Sequence, residues 1–477
     1  MGESPPCDLF VQDINQEFGA KLRNTIMKEQ KMTSQKNKAI SRRDFMGGAA
    51  AAAMTFTFVP GHVLAQPPSG KLNIAGVGIG GMGKSNVSGC ASENIVALCD
   101  VDWAYAAKVF EKYPNARKWK DFRKMLDEQK DIDAVIVATP DHLHTPVAIA
   151  AMQRGKHVYV QKPLTRLVSE ARALTEAARK YKVATQMGNQ GHSGDGVRSI
   201  CEWIWDGAIG EVREVHAWTN RPVWPQGIDR PKDTPPVPDT LDWDLWVGPA
   251  PMRPYHPCYL PFNWRGWWDF GGGALADMAC HVLDPVFSAL KLKYASSVEA
   301  SCTKVNNETF PLASIVHFEY PDREGMPAVK IHWYDGGLKP ARPDVLEVDR
   351  RLDQESSNVL FIGSKGVLRC GEYGGSPRLI PETAMKAYKL PAQTLERIKG
   401  GHEQNWIRAC KGGPAATSNF DYSGPFTEMV VMGNLALRPE NVGKKLEWDG
   451  DKMRVTNDEK ANDYVQMHYR EGWSLEM

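Results

Sequence analysis

Short runs of apolar residues alternate with longer amphipathic segments between residues 72 and 187. The run from Ala134 to Ala138 is apolar throughout, which is typical of a strand buried on both faces of a parallel sheet. The pattern predicts strands over 72–77, 94–99, 134–138, 157–161 and 183–187, and helices over 103–113, 122–129, 146–154 and 169–182. Strands that alternate with helices in this way predict βαβ units, and therefore an α/β fold with a doubly wound parallel sheet.

The pattern changes to a period of two after about residue 190. Val329, Ile331 and Trp333 alternate with more polar neighbours, and segments 359–362 and 367–370 flank a Gly-Ser-Lys-Gly turn. Such a pair is typical of a β-hairpin. We expect an α+β domain here, built on a large and mostly antiparallel sheet with one face open. The predicted organisation is a leader over 1–65, a Rossmann domain over 66–190 and a second domain over 191–477.

The leader has the parts of an export signal. Arg42 and Arg43 precede an apolar stretch of about thirteen residues over 47–59, and Val63-Leu64-Ala65 resembles a cleavage site. The stretch is too short to cross a hydrocarbon layer of ~30 Å as a helix. We expect export by the twin-arginine machinery to the periplasm or another site outside the cytoplasm. An ordinary amphipathic first helix is the alternative interpretation, and Met27 and Met32 are alternative translation starts.

Charge and cysteine content exclude several classes of protein. Lys and Arg total 58 and Asp and Glu total 57 in 477 residues, so we expect no nucleic-acid partner. The nine cysteines form no C-x-x-C pair and no zinc-type spacing, so no metal site is predicted. Buried free thiols are the simplest interpretation of these cysteines.

A glycine motif follows the first predicted strand. It reads Gly78-x-Gly80-x-x-Gly83 and includes Gly81 and Met82, and Asp100 lies 22 positions after Gly78, at the end of the second strand. In this context the motif is typical of a dinucleotide site, with the diphosphate at a helix N-terminus and the acid on the ribose hydroxyls. The acid favours NAD over NADP. A plain turn is the alternative interpretation.

Three further motifs, in order along the chain, resemble the Gfo/Idh/MocA family, named for glucose–fructose oxidoreductase and inositol dehydrogenase. They are Thr139-Pro140-Asp141-His142-Leu143-His144, then Gly155-Lys156-His157-Val158-Tyr159-Val160-Gln161-Lys162-Pro163, and Gly271 to His281. Residues 264–270 resemble the exported, twin-arginine branch. The resemblance implies a Rossmann domain joined to an open-faced sheet, an active site between them, and homodimers or homotetramers packed through that sheet.

The same resemblance implies three catalytic residues. The family's Glu-Lys-Pro motif falls on Gln161-Lys162-Pro163, so the lysine is kept while the glutamate is replaced. The family's Asp-x-x-x-His falls on Asp277 and His281, which a helix would place on one face. We expect His281 to be the base and Lys162 to stabilise developing alkoxide charge. Asp277 would hold a substrate hydroxyl or orient the histidine.

Other residues are expected to line the site with less specific roles. Thr139, Pro140, His144, Gln161 and Lys162 are assigned to the cofactor because they belong to the family's motifs. The residues assigned to a carbohydrate substrate are Asn189, His192, Trp264, Trp267 and His402. Core packing, loop packing and strand-end turns are the alternative interpretations for these side chains.

Three functions from different classes fit these residues. The first is an exported oxidoreductase that moves hydride between a sugar, polyol or glycoside and a tightly bound NAD. The second is an NAD-dependent, redox-neutral glycoside hydrolase that works by oxidation, elimination, hydration and reduction. The third is a sugar-binding protein with a relic NAD site. Export favours a captive cofactor that is recycled on the protein, and we take the oxidoreductase as the main hypothesis.

Overall fold

The computed structural model describes residues 70–352 and 356–475. The predicted leader over 1–65 lies outside the described residues. Within the described ranges, no helix combines the length and the apolar character needed to cross a membrane.

The first half forms the predicted parallel sheet. Its six strands lie in the order β3-β2-β1-β4-β5-β6, and every neighbouring pair is parallel. The strands are β1 (Asn73–Val77), β2 (Asn94–Cys99), β3 (Arg117–Trp119), β4 (Ala134–Val137), β5 (His157–Val160) and β6 (Thr185–Met187). The sequence pattern does not predict β3, because its three residues contain two exposed cations and only one buried side chain.

Five helices connect these strands. They are α1 (Met82–Gly89), α2 (Trp103–Lys112), α3 (Phe122–Glu128), α4 (His144–Gln153) and α5 (Val168–Tyr181). Asp102 and Asp121 cap α2 and α3 by accepting backbone N–H groups with their side chains. The predicted boundaries of the connecting helices agree with the structure within about two residues.

The second half forms a nine-stranded sheet in the order β13-β12-β11-β7-β10-β9-β8-β14-β15. Its strands are β7 (Val212–Thr219), β8 (Ser297–Cys302), β9 (Ser314–Tyr320), β10 (Val329–Tyr334), β11 (Ser357–Gly363), β12 (Gly366–Gly371), β13 (Arg378–Ile380), β14 (Leu446–Asp449) and β15 (Arg454–Val455). Only β7 and β10 pair in parallel among these strands, so the prediction of a mostly antiparallel sheet is confirmed. The predicted hairpin is β11–β12.

The nine-stranded sheet buries one face and leaves the other partly exposed. On β9, Val316 and Phe318 are buried, whereas His317 and Glu319 alternate with them on the other face and keep part of their surface. Seven helices accompany this half: α6 (Asp195–Trp205), α7 (Trp243–Val247), α8 (Gly273–Val282), α9 (Asp284–Ala289), α10 (Glu382–Ala387), α11 (His402–Cys410) and α12 (Phe420–Ala436).

The chain returns to the Rossmann domain near its C-terminus. Helix α12 contacts α5 and β6 of the first half, and it also contacts α8, β8 and β9 of the second. Most of its residues are buried. The two sheets therefore share one continuous hydrophobic core, and α12 fixes the helix α8 that carries Asp277 and His281.

Candidate active site

The glycine loop between β1 and α1 is shaped by close backbone contacts. Gly78 has a φ of +76°, and a Cβ there would lie 2.6 Å from the backbone nitrogen of Thr139. A Cβ on Gly83 would lie 2.1 Å from the carbonyl oxygen of Gly78. A Cβ on Gly80 would lie 2.1 Å from the ring of Tyr105. Gly78 and Gly83 face backbone atoms and therefore require glycine, whereas a Cβ on Gly80 would require the exposed Tyr105 ring to move.

Asp100 holds the same loop from the end of β2. Its Oδ2 accepts the N–H groups of Ile79 and Gly80, at 2.8 and 3.1 Å, and its Oδ1 accepts the N–H of Asp102. Burial raises the pKa of this carboxyl to about 6, against the lowering effect of the three N–H donors. A carboxylate has about four lone-pair sites, so Asp100 keeps capacity for one ribose hydroxyl.

These residues fit a dinucleotide. Gly81 precedes the first residue of α1, Met82, and thus lies where free helix N–H groups attract a diphosphate. The hydroxyl of Thr139 is buried and has no hydrogen-bond partner among the described residues. Such an orphaned polar atom beside the glycine loop is available to a ligand.

An ion pair joins the end of β5 to helix α8. The Lys162 ammonium lies 2.8 Å from Oδ1 of Asp277 and also donates to the Asp277 carbonyl oxygen at 2.9 Å. Arg265 Nε lies 3.0 Å from the same Oδ1. Burial opposes ionisation of Asp277, but the two cations outweigh it and hold its pKa below the usual range. Asp277 is therefore a carboxylate bound between two cations.

His281 lies one helical turn after Asp277 and is also buried. Its Nδ1 has no hydrogen-bond partner in the described part of the chain, so Asp277 does not orient it. Burial, together with the nearby Lys162 ammonium, holds the pKa of His281 well below its usual value. The imidazole is neutral and can accept a proton.

Tyr373 and Glu372 complete this side of the site, and the sequence analysis missed both. The Tyr373 ring packs edge-on against His281, with ring centroids 4.7 Å apart. Tyr373 has a φ of +61°, which is a rare backbone conformation for a bulky residue and a mark of functional sites. Burial raises the pKa of Glu372, whose side chain hydrogen-bonds to Tyr373.

Asp141 is a third residue that the sequence analysis did not assign. It is 3 % exposed, and burial raises its pKa to about 7, although Arg265 and Lys162 act in the opposite direction. Its position within the Thr139–His144 motif was the available signal. Asp141 thus adds a second carboxyl group, beside Asp277, to the surroundings of Lys162.

The His144 side chain connects two loops of the cofactor domain through hydrogen bonds. Its Nδ1 lies 2.8 Å from the carbonyl oxygen of Pro163, and its Nε2 lies 2.9 Å from that of Thr139. Burial lowers its pKa to about 4. Gln161 has a related role, because its amide donates to Oδ1 of Asn86 on α1 at 2.9 Å. Pro140 begins the turn between these motifs.

Three candidate substrate residues, Asn189, His192 and His402, each bind a protein group through at least one side-chain atom, while Asn189 Nδ2 has no partner among the described residues. Asn189 Oδ1 accepts the hydroxyl of Ser418 at 2.6 Å. His192 Nδ1 lies 3.0 Å from both carboxylate oxygens of Asp284. His402 has Nδ1 2.7 Å from the Ser193 hydroxyl and Nε2 2.7 Å from the Met187 carbonyl. Burial lowers the pKa of His402 to about 4. Both ring nitrogens of His402 are therefore occupied.

The two candidate tryptophans belong to an aromatic core cluster. Trp267, which the sequence assigned to a carbohydrate substrate, has no exposed surface in this structure and packs against Tyr259. Trp264 is 6 % exposed, and the Arg265 guanidinium lies 4.2 Å from its ring. No group of three metal-ligating side chains occurs among the described residues.

Family models match both halves of this architecture. Residues 72–189 match the NAD-binding Rossmann fold of the Gfo/Idh/MocA oxidoreductase family, and residues 212–325 match that family's C-terminal alpha/beta domain. The chain belongs to this family. Its Rossmann domain is accordingly an NAD-binding domain.

Individual relatives are more distant. A levoglucosan dehydrogenase of Pseudarthrobacter phenanthrenivorans is 26% identical over 224 residues, which cover 45% of this chain and 50% of that protein. A glycosyl hydrolase family 109 protein of Shewanella sp. strain MR-4 is 28% identical over 161 residues, 31% of this chain and 35% of that protein. This chain therefore spans half or less of the length of these curated relatives.

Solved structures confirm the fold. The WlbA dehydrogenase from Bordetella pertussis, in complex with NADH and UDP-GlcNAcA, superposes with a TM-score of 0.56. The match covers 80% of this chain and 99% of that one, at 18% sequence identity. At this identity the likeness establishes the architecture and leaves the substrate open.

Proposed function

We propose that the protein is an NAD-dependent oxidoreductase that acts on a sugar, polyol or glycoside with a tightly bound cofactor. The observation that carries this proposal is the Lys162–Asp277 ion pair, with His281 one turn further along α8. Lys162 follows the carboxyl end of β5, and ligands of open parallel sheets bind at that edge. A sugar-binding protein with an inactive NAD site would not require all three residues.

Each residue has a role in removing hydride from a carbinol. NAD supplies the hydride acceptor when it is bound. His281 takes the hydroxyl proton, because its imidazole is neutral and its Nδ1 has no other partner among the described residues. Lys162 donates to the substrate oxygen and stabilises the charge that develops there. Asp277 and Arg265 hold the lysine in place, and Asp277 is in reach of a second substrate hydroxyl.

A redox-neutral glycoside hydrolase is the second candidate. The similarity to a family 109 glycosyl hydrolase favours it, and the levoglucosan dehydrogenase relative favours the first candidate. In both schemes the first chemical event is oxidation of a sugar hydroxyl at the same three residues. They differ in whether the glycosidic bond breaks before the hydride returns.

We also propose that the protein is exported by the twin-arginine machinery and works in the periplasm or another compartment outside the cytoplasm. Arg42, Arg43 and the apolar stretch after them support this. NAD is scarce there, so retention of the cofactor would be required. We also propose a homodimer or homotetramer packed through the open face of the nine-stranded sheet, since side chains on that face, such as His317, are only partly buried.

Purified protein without added NAD, incubated in deuterium oxide, tests these alternatives. Release of nitrophenol from nitrophenyl glycosides, together with deuterium at C2 of the sugar, would favour the hydrolase. Reduction of the bound cofactor by a free sugar, reversed by a ketose, would favour the oxidoreductase. If the protein shows neither response with a broad panel of sugars, both enzymatic functions are contradicted and the sugar-binding hypothesis remains.

A further inference from the structure

A histidine–carboxylate pair lies beside the catalytic residues and has no role in the oxidation described above. His192 Nδ1 is 3.0 Å from both oxygens of Asp284. Asp284 is 2 % exposed and also accepts the hydroxyl of Tyr422 at 2.5 Å. The carboxylate fixes the tautomer that carries its proton on Nδ1, and this leaves Nε2 as the proton-accepting atom.

The turn Gln190–Ser193, which carries His192, contacts the turn Glu372–Gly374, and the latter contacts helix α8. Asp284 follows His281 by three residues, across the junction of α8 and α9, which places them one turn apart. On the opposite side, Gly191 packs on the ring of Tyr373 so closely that a Cβ would lie 2.5 Å from it. The Tyr373 ring in turn contacts His281. The turn that carries His192 therefore lies next to the tyrosine that contacts His281.

The two histidines differ in the partners that a second ring proton would meet. A proton on His281 would create an Nδ1–H group with no acceptor among the described residues. A proton on His192 would create an imidazolium beside a buried carboxylate, as in hydrolase triads. Within the described residues, His192 Nε2 makes no hydrogen bond, and it keeps some accessible surface.

Two other ionisable groups surround the pair. Arg198 donates to the His192 carbonyl oxygen at 2.7 Å and, with Asp284 nearby, balances the buried negative charge. His402 lies within electrostatic reach of both His192 and Asp284. His192 is the member of this group whose Nε2 is open.

We propose that His192, positioned by Asp284, is a second proton-transfer residue, which exchanges the proton on the carbon next to the oxidised carbon. Once the neighbouring carbinol has become a carbonyl, this C–H bond breaks and its proton moves to His192 Nε2. The electron pair of the bond moves toward the carbonyl oxygen, where Lys162 stabilises the charge. Return of a proton from the imidazolium to the same carbon reverses the step. The inference rests on the proposed function and requires no oxidant other than NAD.

The test compares two readouts on the same protein in deuterium oxide. Absorbance at 340 nm reports cofactor reduction, and NMR of the recovered sugar or glycoside reports deuterium at the adjacent carbon. For His192→Gln we expect the ratio of exchange to reduction to fall by at least about 100-fold, because an amide does not accept the proton. His216→Gln, a histidine of the nine-stranded sheet, is the matched control and should leave the ratio unchanged.

A second variant keeps the test decisive if His192→Gln fails to fold. Tyr422→Phe removes one hydrogen bond from Asp284 and should displace the acid limb of the exchange pH profile, with the reduction profile unmoved. A wild-type ratio in His192→Gln, or a Tyr422→Phe profile that moves for both readouts alike, would overturn the inference. Failure of wild-type protein to reduce its cofactor with any sugar would instead overturn the proposed function.

Discussion

Two carboxyl groups near Lys162 have opposite protonation behaviour. Asp277 contacts Lys162 and Arg265 directly, and its pKa lies below the usual range. Asp141 interacts electrostatically with the same two cations without contacting them, and burial raises its pKa to about 7. Titratable groups with divergent pKa values are typical of catalytic sites. Asp277 therefore holds the lysine, while Asp141 can carry a proton at neutral pH.

We predict that Asp141→Asn removes a pH-dependent loss of stability. The folded-state pKa of Asp141 lies above its ordinary value of 3.8, so the folded chain holds this proton more tightly than the unfolded chain. The resulting stabilisation is complete below about pH 4 and is lost as the pH rises to about 7. Thermal unfolding is measured at about pH 5 and about pH 8. The melting temperature of the variant relative to that of wild type should be higher at about pH 8 than at about pH 5. Equal differences at both pH values would show that Asp141 does not titrate in this window.

At the scale of elements, most of the parallel sheet and the hairpin could be predicted because their apolar runs are local signals. Strand β3 could not, since it is short and mostly polar. Helix α12 has apolar residues all round and gives no amphipathic period, and its packing against α5 depends on contacts more than 200 residues apart. Local patterns do not encode such distances.

The same limit applies to the site. Lys162 and Asp277 are 115 residues apart, and only their family motifs suggested that they meet. Tyr373 and Glu372 lie in a turn without a motif, so no sequence signal marked them. Trp267 lies in a motif, but its burial shows that motif membership does not place a side chain on the cleft surface.

Helices α5 and α12 carry two ion pairs that differ mainly in burial. Arg172 holds Glu428 through two bonds of 2.8 and 2.9 Å from one nitrogen, and the Glu428 side chain is 3% exposed. Arg179 and Asp421 lie 2.6 Å apart on the same helices with about two thirds of each side chain exposed. We predict that Glu428→Gln lowers the free energy of unfolding by about 3 kcal/mol. Asp421→Asn should cost less than about 1 kcal/mol.

Urea unfolding of the two variants measures this difference. Arg172 keeps partial solvent contact, which places the expected cost of Glu428→Gln at the lower end of the range for broken buried pairs. Equal losses in both variants would mean that burial does not determine the strength of the connection between these helices.

For the whole molecule, the site depends on how the two sheets are joined. Lys162 comes from the parallel sheet, whereas Asp277 and His281 come from a helix on the nine-stranded sheet. Helix α12 contacts both halves and fixes that arrangement. We propose that this junction holds a tightly bound NAD against a carbohydrate carbon, with Lys162 directed at the reacting oxygen.

The most direct measurement is the absorbance at 340 nm of the purified protein after a sugar or glycoside is added, with wild type compared with Lys162→Ala. The variant should retain NAD, detected by mass spectrometry after denaturation, because Arg265 still compensates Asp277. Its rate of cofactor reduction should fall by roughly 100- to 1,000-fold, whereas Lys180→Ala, an exposed lysine of α5, should match wild type. Protein that carries no NAD, or a Lys162→Ala variant that reduces NAD at the wild-type rate, would contradict the account.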